Sequence, residues 1–275
     1  MKIFTDGLFK IGSTHKVCQD YIHHGQNFLP FAVVSDGCSG SKNSDIGSRI
    51  LAHSFEQVMK LIGKENIINY PAKSLAARVQ SYAYSNIANL GIDESSLHAT
   101  LLFAVANQEQ EKLRVTMIGD GFLAYKLRNQ DAPHIVKSDF SYDYPVYPGY
   151  FNNSELMHEF ERVNIEVGQN VTHEWLQGKS PEGYIPNKCK YIFNLILPLE
   201  EVEWVMLASD GIDTFVGEAF PNEALNTKEI VLPYFSGIKA RQGEFVTRRI
   251  NKMLTKELTG NIHEDDISVA GISFI

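Results

Sequence analysis

The sequence predicts an α+β fold, in which blocks of strands and blocks of helices follow one another. Short strand-like runs come first, two amphipathic helical segments follow, and strand-like runs then return. This order lacks the strict strand–helix alternation of a doubly wound parallel sheet. A chain of 275 residues, 44% hydrophobic and 21% charged, is long and apolar enough to bury the core of a globular protein.

The first half of the chain supplies three strands and two helices. Strand-like runs separated by Gly or Asn turns cover residues 2–11, 20–24 and 28–35. Apolar residues then recur with a 3.6-residue period over 45–62 and 75–90, which predicts two neighbouring amphipathic helices.

Strands return after the second helix, at 100–106, 112–118 and 122–127. Only Gly119, Asp120 and Gly121 separate the last two runs, and this hairpin-length turn predicts that they pair antiparallel. The remaining predicted elements are strands at 191–197 and 203–208, a helix at 243–258 and a final strand at 267–274. Because no Pro, Gly or Ser run marks a linker, we expect one domain over residues 1–275.

Composition excludes several classes of function. A net charge of −8 without clustered basic residues disfavours nucleic-acid partners. The longest apolar runs fall far short of the ~18–20 residues that span a bilayer, so no membrane partner is predicted. The N-terminus lacks a signal-peptide pattern, and three cysteines without a C-x-x-C pair argue against a disulfide framework or a thiolate zinc site. We therefore expect a cytoplasmic protein, and the sequence sets no oligomeric state.

Aspartates fall repeatedly at the ends of the predicted strands. Asp36, Asp120 and Asp210 each come just after an apolar run and directly before a glycine, and Asp265 precedes the last strand. Asp20, at the start of the second strand, is a fifth. Each Asp-Gly pair alone is also ordinary turn chemistry. Carboxylates that converge at one end of a sheet repel one another unless a cation neutralises them. Oxygen ligands without Cys or His select Mg²⁺ or Mn²⁺, so the set suggests a two-metal site.

Six short motifs, in order over nearly the whole chain, resemble those of the protein phosphatase 2C family of metal-dependent serine/threonine phosphatases. They are Gly12-Ser13-Thr14-His15 with Cys18-Gln19-Asp20, Val34-Ser35-Asp36-Gly37 with Asp45-Ile46-Gly47-Ser48, Ala99-Thr100-Leu101-Leu102, Ile118-Gly119-Asp120-Gly121, Ala208-Ser209-Asp210-Gly211 and Asp265-Asp266-Ile267-Ser268. His in the first motif and the Gly-Asp-Gly turn are similar to a bacterial branch of the family.

The resemblance implies an αββα sandwich, two antiparallel sheets flanked by helices, with two Mn²⁺ or Mg²⁺ ions at one end. Asp36 would bridge both ions and the Gly37 carbonyl would ligate the second, while Asp210 and Asp265 would complete the first. Asp20 would hold metal-bound water, and Asp120 with Asp210 would bind a third, weaker ion. The implied reaction is hydrolysis of phosphoserine or phosphothreonine on a protein substrate through a metal-bridged water.

Three positions depart from the family's better-known members. His15 replaces an Arg that grips the substrate phosphate, Gln19 replaces a Glu, and Cys38 replaces a His that acts as a general acid. A His donor is shorter and only partly charged near neutral pH. The alternative is therefore a catalytically weak phosphatase-like domain that binds a phosphoprotein or a regulatory partner.

Residues 140–186 are rich in Tyr and Pro. The resemblance places a flap beside the cleft here, which would influence substrate choice, and a packed surface excursion is the other interpretation.

Two rival motifs fail on their context. Gly37-Cys38-Ser39 precedes a helix, as in a serine hydrolase, but lacks the final Gly of a nucleophile elbow. A dinucleotide fingerprint at 119–124 fails because a strand follows it rather than a helix.

Overall fold

Two antiparallel sheets, packed face to face, form the centre of the computed structural model. The structure describes residues 1–140, 144–166, 172–178, 191–217, 220–224, 227–239, 242–257 and 261–275. In spatial order, the five-stranded sheet contains β2 (Tyr21–Gly25), β3 (Phe31–Ser35), β4 (Leu101–Asn107), β5 (Lys112–Ile118) and β9 (Ile192–Pro198). The six-stranded sheet contains β1 (Ile3–Lys10), β14 (Ile267–Phe274), β10 (Val202–Ala208), β6 (Gly121–Leu127), β7 (His134–Asp139) and β8 (Thr172–Gln177).

A smaller sheet and the helices complete the described architecture. The small sheet orders β12 (Phe220–Ala224), β11 (Phe215–Gly217) and β13 (Asn261–His263). The α-helices are α1 (Ser44–Ile62), α2 (Lys64–Ile67), α3 (Ala72–Leu90), α4 (Ser154–Glu161), α5 (Thr227–Ser236) and α6 (Phe245–Lys252). Short 3₁₀ turns occur at Glu94–Leu97, Pro148–Asn152, Leu199–Glu201 and Asp210–Asp213, and π-helical turns at Arg162–Glu166 and Met253–Glu257.

Apolar side chains on both faces of each sheet explain the four-layer order. In β3, Val33 packs in the cluster that contains α1 and α3, whereas Val34 packs against the six-stranded sheet. In β10, Val205 faces the five-stranded sheet and Trp204 packs in the cluster with α5 and α6. Because side chains alternate along a strand, each sheet contributes to two core layers. The predicted α+β class and αββα sandwich are confirmed.

The predicted hairpin between β5 and β6 is wrong. β5 pairs with β4 and β9, whereas β6 pairs with β10 and β7 in the other sheet. Gly119 and Gly121 adopt φ values of 105° and 125°, which L side chains rarely adopt. A Cβ at Gly121 would also lie 2.6 Å from the Ala208 carbonyl oxygen. The turn therefore carries the chain from one sheet to the other, and Asp120 lies at the crossing.

No helix among the described residues has the length and apolar character needed to cross a membrane.

Candidate metal centre

Strand register brings the predicted carboxylates to one end of the sandwich. Tyr21 of β2 pairs with Ser35 of β3, so Asp20 and Asp36 occupy adjacent positions just beyond this pair. In the six-stranded sheet, Ala208 pairs with both Val269 and Phe122. The ends of β10, β14 and β6 that carry Asp210, Asp265 and Asp120 therefore lie at the same edge of that sheet.

Asp36 lies at the electrostatic centre of this group. Burial raises the pKa of its carboxyl group well above the ordinary value, and the charges of Asp20, Asp210 and Asp120 raise it further. Nearby like charges raise the pKa of a carboxyl group, so the three other carboxylates lie near Asp36. In the absence of a cation, the surroundings of Asp36 therefore disfavour its ionised form.

Asp20 and Asp210 are perturbed in the same direction. Burial, with the charge of Asp210, raises the pKa of Asp20 to about 7, although the Ser209 and Ser268 hydroxyls act in the opposite direction. Burial and the charge of Asp265 raise the pKa of Asp210 to about 6. These carboxylates have been taken out of water without enough positive charge beside them.

The donor set fits a hard divalent cation. Asp20 Oδ2 and Asp210 Oδ1 are buried without a hydrogen-bond partner in the structure, a state that is costly for a carboxylate oxygen. Closely spaced carboxylate oxygens are the ligands that Mg²⁺ and Mn²⁺ prefer. A cation would satisfy these orphan oxygens and relieve the repulsion around Asp36.

Backbone pairing fixes Asp36 and Gly37. The Asp36 amide donates to Thr100 Oγ1 at 3.0 Å, and the Thr100 amide donates to the Asp36 carbonyl at 2.8 Å. Gly37 forms an isolated antiparallel bridge with Ala99. The motif around Thr100 therefore continues the sheet beyond β3 and sets the direction of the Asp36 side chain.

Asp266 joins the two ends of the chain beside the site. Its carboxylate is 1% exposed and accepts from the amides of Gly12 at 2.7 Å and Gln19 at 2.6 Å. These bonds hold the loop between β1 and β2, which carries His15 and leads into Asp20. The sequence placed Asp266 in a motif but gave it no role, because its amide partners are about 250 residues away.

His15 lies against the acidic residues rather than pointing away from them. Its Nδ1 is 3.0 Å from Asp266 Oδ2 and 3.5 Å from Asp265 Oδ1. Burial lowers the pKa of His15, but the Asp266 carboxylate and the charges of Asp265 and Asp20 outweigh burial and raise it overall. The three residues offer ligand atoms within 4.8 Å of one another. Asp266 therefore holds the β1–β2 loop through two amides and also holds the His15 ring beside Asp265.

Asp265 is held by the loop that follows β10. Its amide donates to Thr214 Oγ1 at 3.1 Å, and its Oδ1 accepts from the Asp266 amide at 2.7 Å. A Cβ at Gly211 would lie 1.8 Å from the Asp266 carbonyl oxygen, so only glycine permits this close approach. The glycine after Asp210 therefore sets the distance between the two loops that carry Asp210 and Asp265.

Lys137 is a cation at this edge that the sequence analysis missed. Its Nζ lies 3.2 Å from Asp213 Oδ2 and 3.6 Å from Asp139 Oδ2. Lys137 belongs to β7, a strand that was not predicted, so no sequence pattern pointed to it.

An aromatic cluster lines the side of the centre next to Cys38. The Tyr147 phenol is buried, and burial together with the neighbouring Cys38 thiol, Asp120 and Asp36 raises its pKa. His98 stacks on Tyr147 with ring centroids 5.7 Å apart, and its carbonyl accepts from the Cys38 amide. Tyr147 joins the core cluster that includes residues of α3. This part of the 140–186 region is therefore packed, whereas residues 141–143, 167–171 and 179–186 of the predicted flap lie outside the described residues.

Two antiparallel sheets between helices, with buried acids at one end, define an α+β sandwich that is shared with bacterial phosphatases. A variant of a bacterial serine phosphatase matches with a TM-score of 0.60 and 12% identity, covering 100% of this chain and 98% of that one. The S. agalactiae serine/threonine phosphatase matches with a TM-score of 0.57, 15% identity and full coverage of both chains. PppA, described as a key regulatory component of the T6SS in Pseudomonas aeruginosa, matches with a TM-score of 0.58 and 16% identity, covering 100% of this chain and 99% of that one.

Sequence comparison gives the family. The model of the protein phosphatase 2C family matches residues 12–258, and the chain belongs to this family of protein phosphatases. A comparison with curated protein sequences finds no match. The predicted family is confirmed, whereas the assignment to a branch with His in the first motif stays a prediction.

Proposed function

We propose that the protein is a Mn²⁺- or Mg²⁺-dependent phosphatase that hydrolyses phosphoserine and phosphothreonine phosphomonoesters on proteins. The observation that carries this proposal is the buried carboxylate group around Asp36, with the orphan oxygens of Asp20 and Asp210. Such a group is costly in a fold that has no use for a cation. Family membership supplies the reaction class, and the acidic centre supplies the reason for metal dependence.

Asp36, Asp210, Asp265 and the Gly37 carbonyl are the proposed ligands of two divalent ions. When bound, the two ions supply a nucleophilic water near neutral pH and balance the charge of the phosphoryl group. Without them, the same carboxylates repel a phosphate dianion. The fold's own contribution is to hold these ligands at fixed positions through the Thr100 pairing and the Asp266 bonds.

Two further residues are proposed to act on water and on the substrate. Asp20, 1% exposed, is placed by the β2–β3 register next to Asp36 and would orient the attacking water through a hydrogen bond. The neighbouring carboxylates raise the pKa of His15 and so favour its protonated form, which would attract the phosphate. A third, weaker ion is proposed at Asp120 and Asp210.

The direct test is hydrolysis of p-nitrophenyl phosphate with Mn²⁺, with and without EDTA, by the wild type and Asp36→Ala. We expect EDTA to abolish turnover and the substitution to lower it by about a thousandfold, roughly 4 kcal/mol of transition-state stabilisation. Asp131→Ala is the matched control, because Asp131 is exposed in a turn, and it should keep wild-type activity. Hydrolysis of phosphoserine and phosphothreonine peptides then tests the substrate class.

Turnover that persists in EDTA, or that is unchanged in Asp36→Ala, would contradict the metal-dependent mechanism. Inhibition by a fluorophosphonate would point to Ser39 instead. Tight Mn²⁺ binding without any turnover would favour the partner-binding alternative.

A further inference from the structure

Lys137 is a half-buried cation beside the acidic centre, with a role that the proposed function does not use. Its side chain is 22% exposed and that of Asp213 is 13% exposed, and the two are 3.2 Å apart. Asp139 Oδ2 lies 3.6 Å away on the same strand, and the ammonium lies 5.6 Å from the centroid of the Phe122 ring. These contacts confine the charge to one place.

The Lys137 ammonium borders the position proposed for the third, weaker ion at Asp120 and Asp210. Asp213 ends the 3₁₀ turn that begins at Asp210, and Lys137 pairs in register with Phe122, two residues after Asp120. The electrostatic influence is mutual, since the charge of Lys137 lowers the pKa of Asp210 and Asp210 raises that of Lys137. Lys137 is therefore close enough to affect any ion held by Asp120 and Asp210.

We propose that Lys137 is a tethered cation that partly neutralises the Asp120–Asp210–Asp213 edge and keeps its affinity for a third divalent ion low. The inference rests on the proposed function, since it presupposes two ions at Asp36. A lysine is positively charged throughout the neutral range, and a half-buried charge is screened less by salt than an exposed one. It therefore repels a divalent ion at this edge under all ordinary assay conditions.

The test is a Mn²⁺ titration of metal-free full-length protein by calorimetry, with electron paramagnetic resonance to count bound ions. Lys137→Met removes the charge and keeps an aliphatic chain over Phe122. We expect its third binding step to tighten at least about tenfold relative to the wild type, because repulsion between unit charges within several ångströms is worth this much or more near a protein surface. The first two steps should change less.

Lys126→Met is the matched control. Lys126 lies on β6 of the same sheet with a similar exposure of 24%, and it pairs with Glu203 at 2.9 Å near the opposite end of the strand. The Lys126→Met substitution should leave all Mn²⁺ binding steps unchanged. Lys137→Arg keeps the charge and should retain the weak third step, and Asp213→Asn added to Lys137→Met should reverse part of the tightening.

An unchanged third step in Lys137→Met, or an equal tightening in Lys126→Met, would overturn the inference. If Lys137→Met does not fold, Lys137→Gln is titrated in its place and the same outcomes apply. Failure of the proposed function is a different result: the wild type would then show no tight first two steps, or Asp36→Ala would leave them intact, and the inference would fall with it.

Discussion

Arg114 and the carboxylates around Asp36 are two buried charged groups with opposite surroundings. Arg114, on β5, is 2% exposed and donates hydrogen bonds to the Ile67 and Tyr70 carbonyls at 2.8 and 2.7 Å. It also donates to Thr116 Oγ1 and Asn194 Oδ1, both at 3.1 Å. Burial lowers the pKa of Arg114 to about 10, so it stays charged at neutral pH.

Two of these carboxylates each have an oxygen without such a partner, and this difference distinguishes the structural charge of Arg114 from the proposed metal centre. The fold supplies acceptors for Arg114, which ties the connection between α2 and α3 to the sheet. At the acidic end it leaves Asp20 Oδ2 and Asp210 Oδ1 without partners. Buried carboxylate oxygens normally have partners, so these two oxygens support the proposal that a cation binds there.

The largest expected effect on stability comes from breaking the satisfied site. Arg114→Ala leaves buried acceptors without donors and opens a cavity, and we expect a loss of about 3–5 kcal/mol in the free energy of unfolding. Urea denaturation measures it. Arg128→Ala is the control, because Arg128 also donates to backbone carbonyls, of Glu200 and Phe274, but is exposed. If Arg114→Ala lost no more stability than the control, the buried hydrogen bonds of Arg114 would contribute little to the free energy of unfolding.

We expect an intermediate effect on the free energy of unfolding from the acidic centre when metal is removed with EDTA. An acid whose folded pKa lies above its unfolded value destabilises the fold as pH rises between the two values. For Asp20 this window runs from about 4 to about 7. Metal-free protein should therefore lose on the order of 2 kcal/mol of stability between pH 5 and pH 8.

Asp20→Asn removes part of this loss, because the amide cannot ionise. Urea unfolding in EDTA at both pH values measures the difference, with Asp131→Asn as the exposed control. If the wild type and Asp20→Asn lost the same amount of stability between pH 5 and pH 8, the carboxylates would not repel one another in the metal-free fold.

The smallest expected effect on stability is at Glu257, a carboxylate that is paired with two basic side chains. Arg249 and Lys252 lie 2.6 and 2.7 Å from Glu257 and lower its pKa to about 2. This contribution is present above pH ~4.5 and is lost as pH falls toward 2. Glu257→Gln should destabilise by about 1 kcal/mol at pH 7, since solvent screens the partly exposed pair, and by less at pH 3.

Thermal unfolding at the two pH values measures the Glu257 effect. Glu159→Gln serves as the control, because Glu159 pairs with Arg162 at 3.5 Å with both side chains exposed, and it should change stability very little. A pH-independent loss in Glu257→Gln would argue against an ionic contribution.

Local patterns in the sequence were sufficient to predict the strands that carry the site. Apolar runs that end at Asp36, Asp120 and Asp210 became β3, β5 and β10, because alternation and Asp-Gly turns are properties of a few adjacent residues. The helix predicted at 243–258 is α-helical only over α6 and continues as a π-helical turn.

Features that depend on distant contacts could not be predicted. The partners of β5 and β6 are chosen by sheet packing, so the short turn between them misled the hairpin prediction. β7, α4 and α5 were missed, and with β7 the position of Lys137. The Tyr-rich segment gave no sign of whether Tyr147 would be packed, because that depends on His98 and on α3.

The pairing of β14 with both β1 and β10 has a consequence for biosynthesis. Synthesis proceeds from the N-terminus, so Asp20, Asp36, Asp120 and Asp210 leave the ribosome well before Asp265 and Asp266. Until β14 arrives, Gly12 and Gln19 have no carboxylate to hold their loop. The acidic centre is therefore completed only once β14 has been synthesised, and a chain interrupted before β14 would contain four of these acids but not the contacts that position their loops.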